Sequence, residues 1–104
     1  MARGPDTGAL IERALTLSAA GAGVPMRIVE ASATRWASAT FAGARHVLDL
    51  QVGTDRASRA WLGNLGEMDL PMRGQLLADC TVVATRTNPA SISARIEALT
   101  VETA

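Results

Sequence analysis

The sequence has no lysine and no tyrosine, and it contains one cysteine, one histidine and few aromatic side chains. All ten basic residues are arginine, and ten acidic residues balance them in a chain of 104 residues. We interpret the missing lysine and the abundant alanine as the amino-acid usage of a GC-rich bacterial genome. The alternative is that arginine is favoured because it binds anions with two hydrogen bonds. Balanced charge disfavours a nucleic-acid or anionic-membrane partner, since an excess of positive charge usually binds both.

A single cysteine excludes an internal disulfide, so Cys80 predicts a reducing compartment and we expect a cytoplasmic protein. The apolar stretch 14–22 follows Asp6, Glu12 and Arg13, which predicts an amphipathic helix better than an export signal. No apolar run approaches the roughly 20 residues that a membrane-spanning helix needs. We therefore expect no membrane partner.

A short motif occurs twice in the chain. Residues 24–27 read Val-Pro-Met-Arg and residues 70–73 read Leu-Pro-Met-Arg, so the two prolines are separated by 71 − 25 = 46 residues. Each motif follows a segment with helical spacing and precedes alternating β-type residues. This predicts one domain over 1–104 with pseudo-repeats at about 6–53 and 54–104.

The first helix is predicted to begin at Asp6 or Thr7, whose side-chain oxygens can accept from unpaired backbone N–H groups. Gly21 and Gly23 are the predicted C-terminal stops, and Pro25 prevents the helix from continuing. The predicted core-facing stripe has helical spacing. It consists of Leu10, Ile11, Ala14, Leu15 and Ser18, with Leu17 at its edge.

The second helix repeats this arrangement. Thr54 or Asp55 is the predicted N-cap, and Gly66 is the predicted end. The predicted stripe consists of Ala57, Ala60, Trp61, Asn64 and Leu65.

The strands of the second repeat have a clear alternation. We expect Leu76, Ala78, Cys80, Val82 and Ala84 to face the core, and Leu77, Asp79, Thr81, Val83 and Thr85 to be half-exposed. A turn is predicted at Thr87–Ala90, followed by core-facing Ile92, Ala94, Ile96 and Ala98. Leu99 and Val101 have the opposite parity, which indicates a bulge or an end twist.

The first repeat is less well specified because residues 31–44 are rich in alanine, serine and threonine. We predict a strand from Ile28 to about Phe41. The separation of 46 residues places the turn near Gly43, and the alternative is a turn near Arg35–Ser38. The return strand would place His46, Leu48, Leu50 and Val52 on one face.

Together these elements predict an α+β two-layer sandwich of the order αββ-αββ. Its four-stranded antiparallel sheet would carry both helices on one face, as in a ferredoxin-like or permuted ferredoxin-like fold. The other face would be solvated or would form a contact surface.

The segment 34–46 has the most unusual composition, since it combines a tryptophan, the only phenylalanine, the only histidine and two arginines. Arg35, Trp36, Arg45 and His46 could form an anion or stacking site on a hairpin. The structural alternative is that the aromatic rings fill the space that the alanines leave, because protein cores are close-packed.

The lone histidine and the lone cysteine have structural interpretations as well. We expect His46 to be a neutral core or rim histidine that bonds to the backbone, and Cys80 to act as a small buried hydrophobe. No cluster with metal-ligand spacing and no catalytic arrangement stands in the sequence, so we predict no metal, no cofactor and no catalytic residue.

Two functions follow from these features. The first is a non-enzymatic interaction module, a homodimer that associates through the open sheet face with Trp36, Val47, Leu77 and Val83 as apolar anchors. The alternative is a protein that binds a small molecule or anion, or a minor enzyme, that uses the site at Arg35, Trp36, Arg45 and His46.

Overall fold

The computed structural model describes residues 7–103, and its element order is αββ-αββ, as predicted. The first unit contains α1 (Thr7–Gly21), β1 (Met26–Ala37) and β2 (Ala42–Val52). The second contains α2 (Arg56–Asn64), a short 3₁₀ helix (Leu65–Glu67), β3 (Gln75–Thr87) and β4 (Ile92–Glu102).

The four strands form one antiparallel sheet with the order β1-β2-β4-β3. Each hairpin contributes one central strand, and these central strands, β2 and β4, pair with each other. Because that pairing is antiparallel, the turns of the two hairpins lie at opposite ends of the sheet. The predicted four-stranded antiparallel sheet is confirmed.

The hydrophobic core lies on one face of this sheet. In the central strands, Leu48 is opposite Ile96 and Leu50 is opposite Ala94, and all four side chains are buried. The same buried cluster includes α1 residues Ile11, Ala14, Leu15 and Ala19, and Trp61, Leu62 and Leu65 of the second unit. Both helices therefore cover the same face, and among the described residues no element covers the other face.

Helix α1 follows the predicted pattern. Ile11, Ala14 and Leu15 are buried, whereas Leu17 is 60% exposed. Gly23 adopts a φ of +71°, a left-handed conformation that glycine tolerates and that ends the helix. Of the two predicted caps, Asp6 lies outside the described residues.

Helix α2 has the predicted cap but a different buried face. The Asp55 side chain accepts from the Ser58 backbone N–H, as expected of an N-cap. The predicted positions Ala60 and Asn64 are wrong, because both are exposed, while Ser58 and Leu62 are buried. Burial of Leu62 removes far more apolar surface from water than burial of Ala60 would, so the helix rotates toward the leucine.

The first hairpin turns earlier than the separation of 46 residues predicts. β1 ends at Ala37 and β2 begins at Ala42, so the predicted turn near Gly43 is wrong, as is the strand reaching Phe41. Ser38 closes the turn, since its backbone N–H donates to the Phe41 carbonyl and its hydroxyl accepts from the Phe41 N–H. In the second hairpin, Asn88 makes the corresponding bonds to Ser91.

The two hairpins are therefore related by 50 residues, because their first strands end at 37 and 87 and their second strands begin at 42 and 92. The prolines remain 46 residues apart. Three of the four additional residues lie between Pro71 and β3, where Gly74 adopts a φ of +73°, and the fourth lies in β3, which has 13 residues against 12 in β1. Whether the two units are sequence repeats stays a prediction.

Two bulges change the faces of β3. The register with β4 shifts between Leu77 and Asp79 and again between Val82 and Ala84. Each shift adds one residue to β3, and this reverses the alternation locally. Leu77 consequently packs against the core and Leu76 is 58% exposed, which reverses the prediction for this pair.

Strand β4 keeps its alternation to the end. Thr100 continues the buried series and is 0% exposed, while Leu99 and Val101 lie on the uncovered face. The predicted bulge or end twist in this strand is therefore wrong. The irregularities lie in the edge strands β1 and β3, where bulges also discourage edge-to-edge pairing.

Candidate functional site

The four residues of the predicted ligand site lie on opposite faces of the sheet. Arg35 and His46 belong to the face that carries the helices, whereas Trp36 and Arg45 belong to the uncovered face. Adjacent residues of a strand point to opposite sides, so the pleat separates each neighbouring pair. The structure thus gives two pairs of residues rather than one site.

His46 is 1% exposed, and its Nε2 lies 2.9 Å from the Thr100 hydroxyl oxygen. Burial lowers the pKa of His46, because desolvation disfavours the charged imidazolium. The ring is therefore neutral near pH 7, as expected, but it bonds to a side chain instead of the backbone. Its Nδ1 has no hydrogen-bond partner in the described part of the chain.

Thr100 is a site residue that the sequence interpretation missed. It completes the run of core-facing positions in β4, and its hydroxyl also lies 3.4 Å from the Ala44 carbonyl oxygen. A polar residue at a core position of a regular strand is the signal that identifies it, because buried hydroxyls require partners. If the alternation is assumed to change at Leu99, Thr100 is assigned to the uncovered face and this signal is lost.

A cavity of about 370 Å³ lies between the first turns of α1 and strands β1 and β2. Ile11 and Leu48 contribute apolar wall, together with alanines of both strands. Arg35 and His46 both line this cavity, and Glu12 of α1 lines it too. The structure therefore brings together one arginine and the histidine of the predicted site.

Arg35 is bonded on one side only. Its Nη2 donates to Glu102 Oε2 at 2.9 Å, and the two side chains are 74% and 39% exposed. An exposed ion pair of this kind contributes little to stability. The remaining N–H groups of the guanidinium have no acceptor among the described residues and are free to meet a ligand.

On the uncovered face, one line of cross-strand neighbours is apolar from edge to edge. Trp36 of β1 is opposite Gly43, which is opposite Val101, which in turn is opposite Leu76 of β3. We call these four residues the apolar row. Leu99 and Val47 extend the apolar surface along the central strands, and both are half-exposed.

The four predicted interface residues do not all lie on the uncovered face of the sheet. Trp36 and Val47 lie on the uncovered face, as the prediction requires. Leu77 does not, because the first bulge of β3 turns it toward the core, and Leu76 takes the position on the uncovered face. Val83 is the extra residue of the second bulge and is 44% exposed.

Charges of both signs lie on the uncovered face, on one side of the apolar row. Arginines on the uncovered face are Arg27, Arg45, Arg86 and Arg95, and acidic residues are Glu30, Asp49, Asp79 and Glu97. Arg95 donates to both carboxylate oxygens of Asp49 at 2.9 and 3.1 Å. This hydrogen bonding lowers the pKa of Asp49. The face has no net charge of either sign.

Cys80 is 4% exposed, and burial raises its pKa to about 11, with a smaller contribution from the charge of Asp79. We expect the native thiol to react with a disulfide reagent at about pH 8 at least ~100-fold more slowly than the unfolded chain, because thiolate is the reactive form. Absorbance of the released thiol, measured with and without denaturant, tests this. Equal rates in the two states would show that Cys80 is accessible.

Across residues 7–103, no group of three or more His, Cys, Asp or Glu side chains is placed to hold a metal ion. None of the helices in that range is long and apolar enough to cross a membrane. Comparisons with protein-family models, curated proteins and solved structures give no match to this chain.

Proposed function

We propose that this chain is a non-enzymatic interaction module that forms a homodimer through the uncovered face of its sheet. The apolar row carries the proposal, because it crosses all four strands and ends in Leu76, which is 58% exposed. A few large side chains, with aromatic residues prominent among them, supply most of the binding energy in protein interfaces. Trp36 is the aromatic anchor in this row.

A second copy of the chain is the partner that the charges favour. The uncovered face carries four arginines and four acidic residues, so two such faces can pair opposite charges without net repulsion. The four strands are 11 to 13 residues long, and with a spacing of about 4.8 Å and a rise of about 3.3 Å per residue the flat area of the face is roughly 700 Å². That is close to the ~800 Å² per partner of a stable interface.

The decisive substitution is Leu76→Arg. It places a charge in the apolar row, and the cost of burying an unpaired charge against the partner would prevent association. We expect the wild-type chain to show a mass that rises toward twice 10.8 kDa with concentration, and the variant to remain a monomer. Sedimentation equilibrium between about 5 and 500 µM measures both.

Leu17→Arg is the matched control, because Leu17 is 60% exposed on α1, away from the sheet face. It should associate as the wild type does. A wild-type chain that is monomeric at the highest concentration would refute self-association. A dimer that persists in Leu76→Arg, or dissociates equally in Leu17→Arg, would refute the proposed face.

We also infer a permuted ferredoxin-like fold. Moving the first strand of the β-α-β-β-α-β unit to the end of the chain gives αββ-αββ, the element order observed here. The sheet order β1-β2-β4-β3 fits this rearrangement, since the last strand then lies between β2 and β3. A solved structure of this chain, compared with known members of the fold, tests the assignment.

A further inference from the structure

We propose that the cavity between α1 and the first hairpin binds a small hydroxylated monocarboxylate with an apolar body. This site is separate from the uncovered face and does not depend on self-association. Three features of the cavity define the ligand: an arginine with free donors, a buried histidine with an unbonded nitrogen, and apolar walls.

The carboxylate of the proposed ligand is inferred from Arg35. A guanidinium binds a carboxylate with parallel hydrogen bonds, and only one N–H group of Arg35 is engaged by Glu102. The side chain lines the cavity and is 74% exposed, so a ligand reaches it without displacing any packed group. Glu102 already pairs with Arg35 and Glu12 also lines the cavity, so these carboxylates oppose a highly charged anion more strongly than a monocarboxylate.

The hydroxyl of the proposed ligand is inferred from His46. Nε2 is occupied by Thr100, and Nδ1 carries either a proton or a lone pair, depending on the tautomer. A hydroxyl group can donate or accept, so it satisfies Nδ1 in both tautomers. His46 is only 1% exposed but lines the cavity, so a ligand hydroxyl at Nδ1 adds a hydrogen bond that no protein group makes among the described residues.

The positions of the two residues set the spacing of the ligand's polar groups. Arg35 is opposite Ala44, and His46 lies two residues farther along β2, so the two residues are diagonal neighbours. Diagonal neighbours in an antiparallel pair are about 7 Å apart. Ala44 is opposite Arg35 and Ala33 is opposite His46, and Ile11 and Leu48 also line the cavity, so the part of the ligand that joins its polar groups should be apolar.

We choose 4-hydroxybenzoate as the probe, because its ring holds a carboxylate and a hydroxyl at opposite ends. His46 is the only histidine, so its ring ¹⁵N resonances in an NMR spectrum need no assignment by mutation. Titration of the full chain with 4-hydroxybenzoate up to about 10 mM should shift the Nδ1 resonance more than the Nε2 resonance, and the shift should saturate.

Two analogues separate the contributions of the polar groups. Benzoate lacks the hydroxyl and should bind about 10-fold more weakly, since Nδ1 loses its partner. The neutral 4-hydroxybenzyl alcohol should also bind about 10-fold more weakly, since it lacks the charge that Arg35 recognises. Equal affinity for all three compounds would show that the cavity binds apolar rings without recognising either group and would overturn the proposed class.

Matched arginine variants locate the site. Arg35→Gln should weaken 4-hydroxybenzoate binding about 10-fold, whereas Arg45→Gln, the same substitution on the uncovered face, should leave it unchanged. Equal losses in the two variants would place the binding elsewhere. A titration with no saturable shift of the His46 resonances would refute the site.

Discussion

Substitution of Gly43 by alanine is expected to destabilise the protein by about 3 kcal/mol or more. A Cβ at this position would overlap the backbone carbonyl oxygen of Thr100 in the neighbouring strand. It would also lie 2.9 Å from Cζ2 of the Trp36 ring. The ring could shift, but the carbonyl belongs to the central β2–β4 pair and cannot move without disturbing the ladder of hydrogen bonds.

Gly63→Ala is the control for this prediction. Gly63 lies in α2, and a Cβ there meets no atom within 4 Å. Because glycine is a poor helix former, this variant should gain about 0.5 to 1 kcal/mol. Urea unfolding monitored by circular dichroism gives both values. A loss below about 1 kcal/mol in Gly43→Ala would show that the central strands separate easily.

Leu15→Ala is expected to lower the free energy of unfolding by about 3 kcal/mol. Leu15 is 0% exposed and belongs to the buried cluster that joins α1 to the sheet. Truncation removes apolar contact and leaves a cavity that the surrounding core, with residues from both helices, fills only in part.

The paired control is Leu17→Ala, on the same helix but 60% exposed. Its effect should remain within about 0.5 kcal/mol, because a truncation at the surface leaves no cavity. Thermal unfolding of the two variants in parallel measures the difference. Similar losses at both positions would mean that the face of α1 toward the sheet is assigned wrongly.

This fold separates two candidate binding surfaces. The unbonded nitrogen of His46 and the free donors of Arg35 belong to the cavity, whereas the apolar row belongs to the uncovered face. The cavity lies on the face that carries the helices, and the apolar row lies on the other face. A ligand in the cavity and a partner on the uncovered face would therefore contact different residues of the same hairpin. The experiments on the two proposals can be interpreted independently for this reason.

Local patterns in the sequence determined the elements and their order. The stripe of α1, the Asp55 cap, the Asn88 turn and the alternation of β2 and β4 depend on neighbours within a few residues. Helical spacing, capping oxygens and alternation act over one turn or one strand, so they can be read from the chain directly. They also predicted the antiparallel sheet with both helices on one face.

Only the tertiary structure decided the register and the face of each candidate site residue. The bulges of β3 exchanged Leu76 with Leu77, because registers are set by the pairing with β4 rather than by the alternation of β3 alone. Pleating separated Arg35 from Trp36 and Arg45 from His46, although each pair is adjacent in the chain. Pairing across the central strands brought Thr100 to His46, two residues 54 positions apart. The composition of the sequence thus identified the candidate site residues, and the pairing of the strands determined which of them lie next to one another.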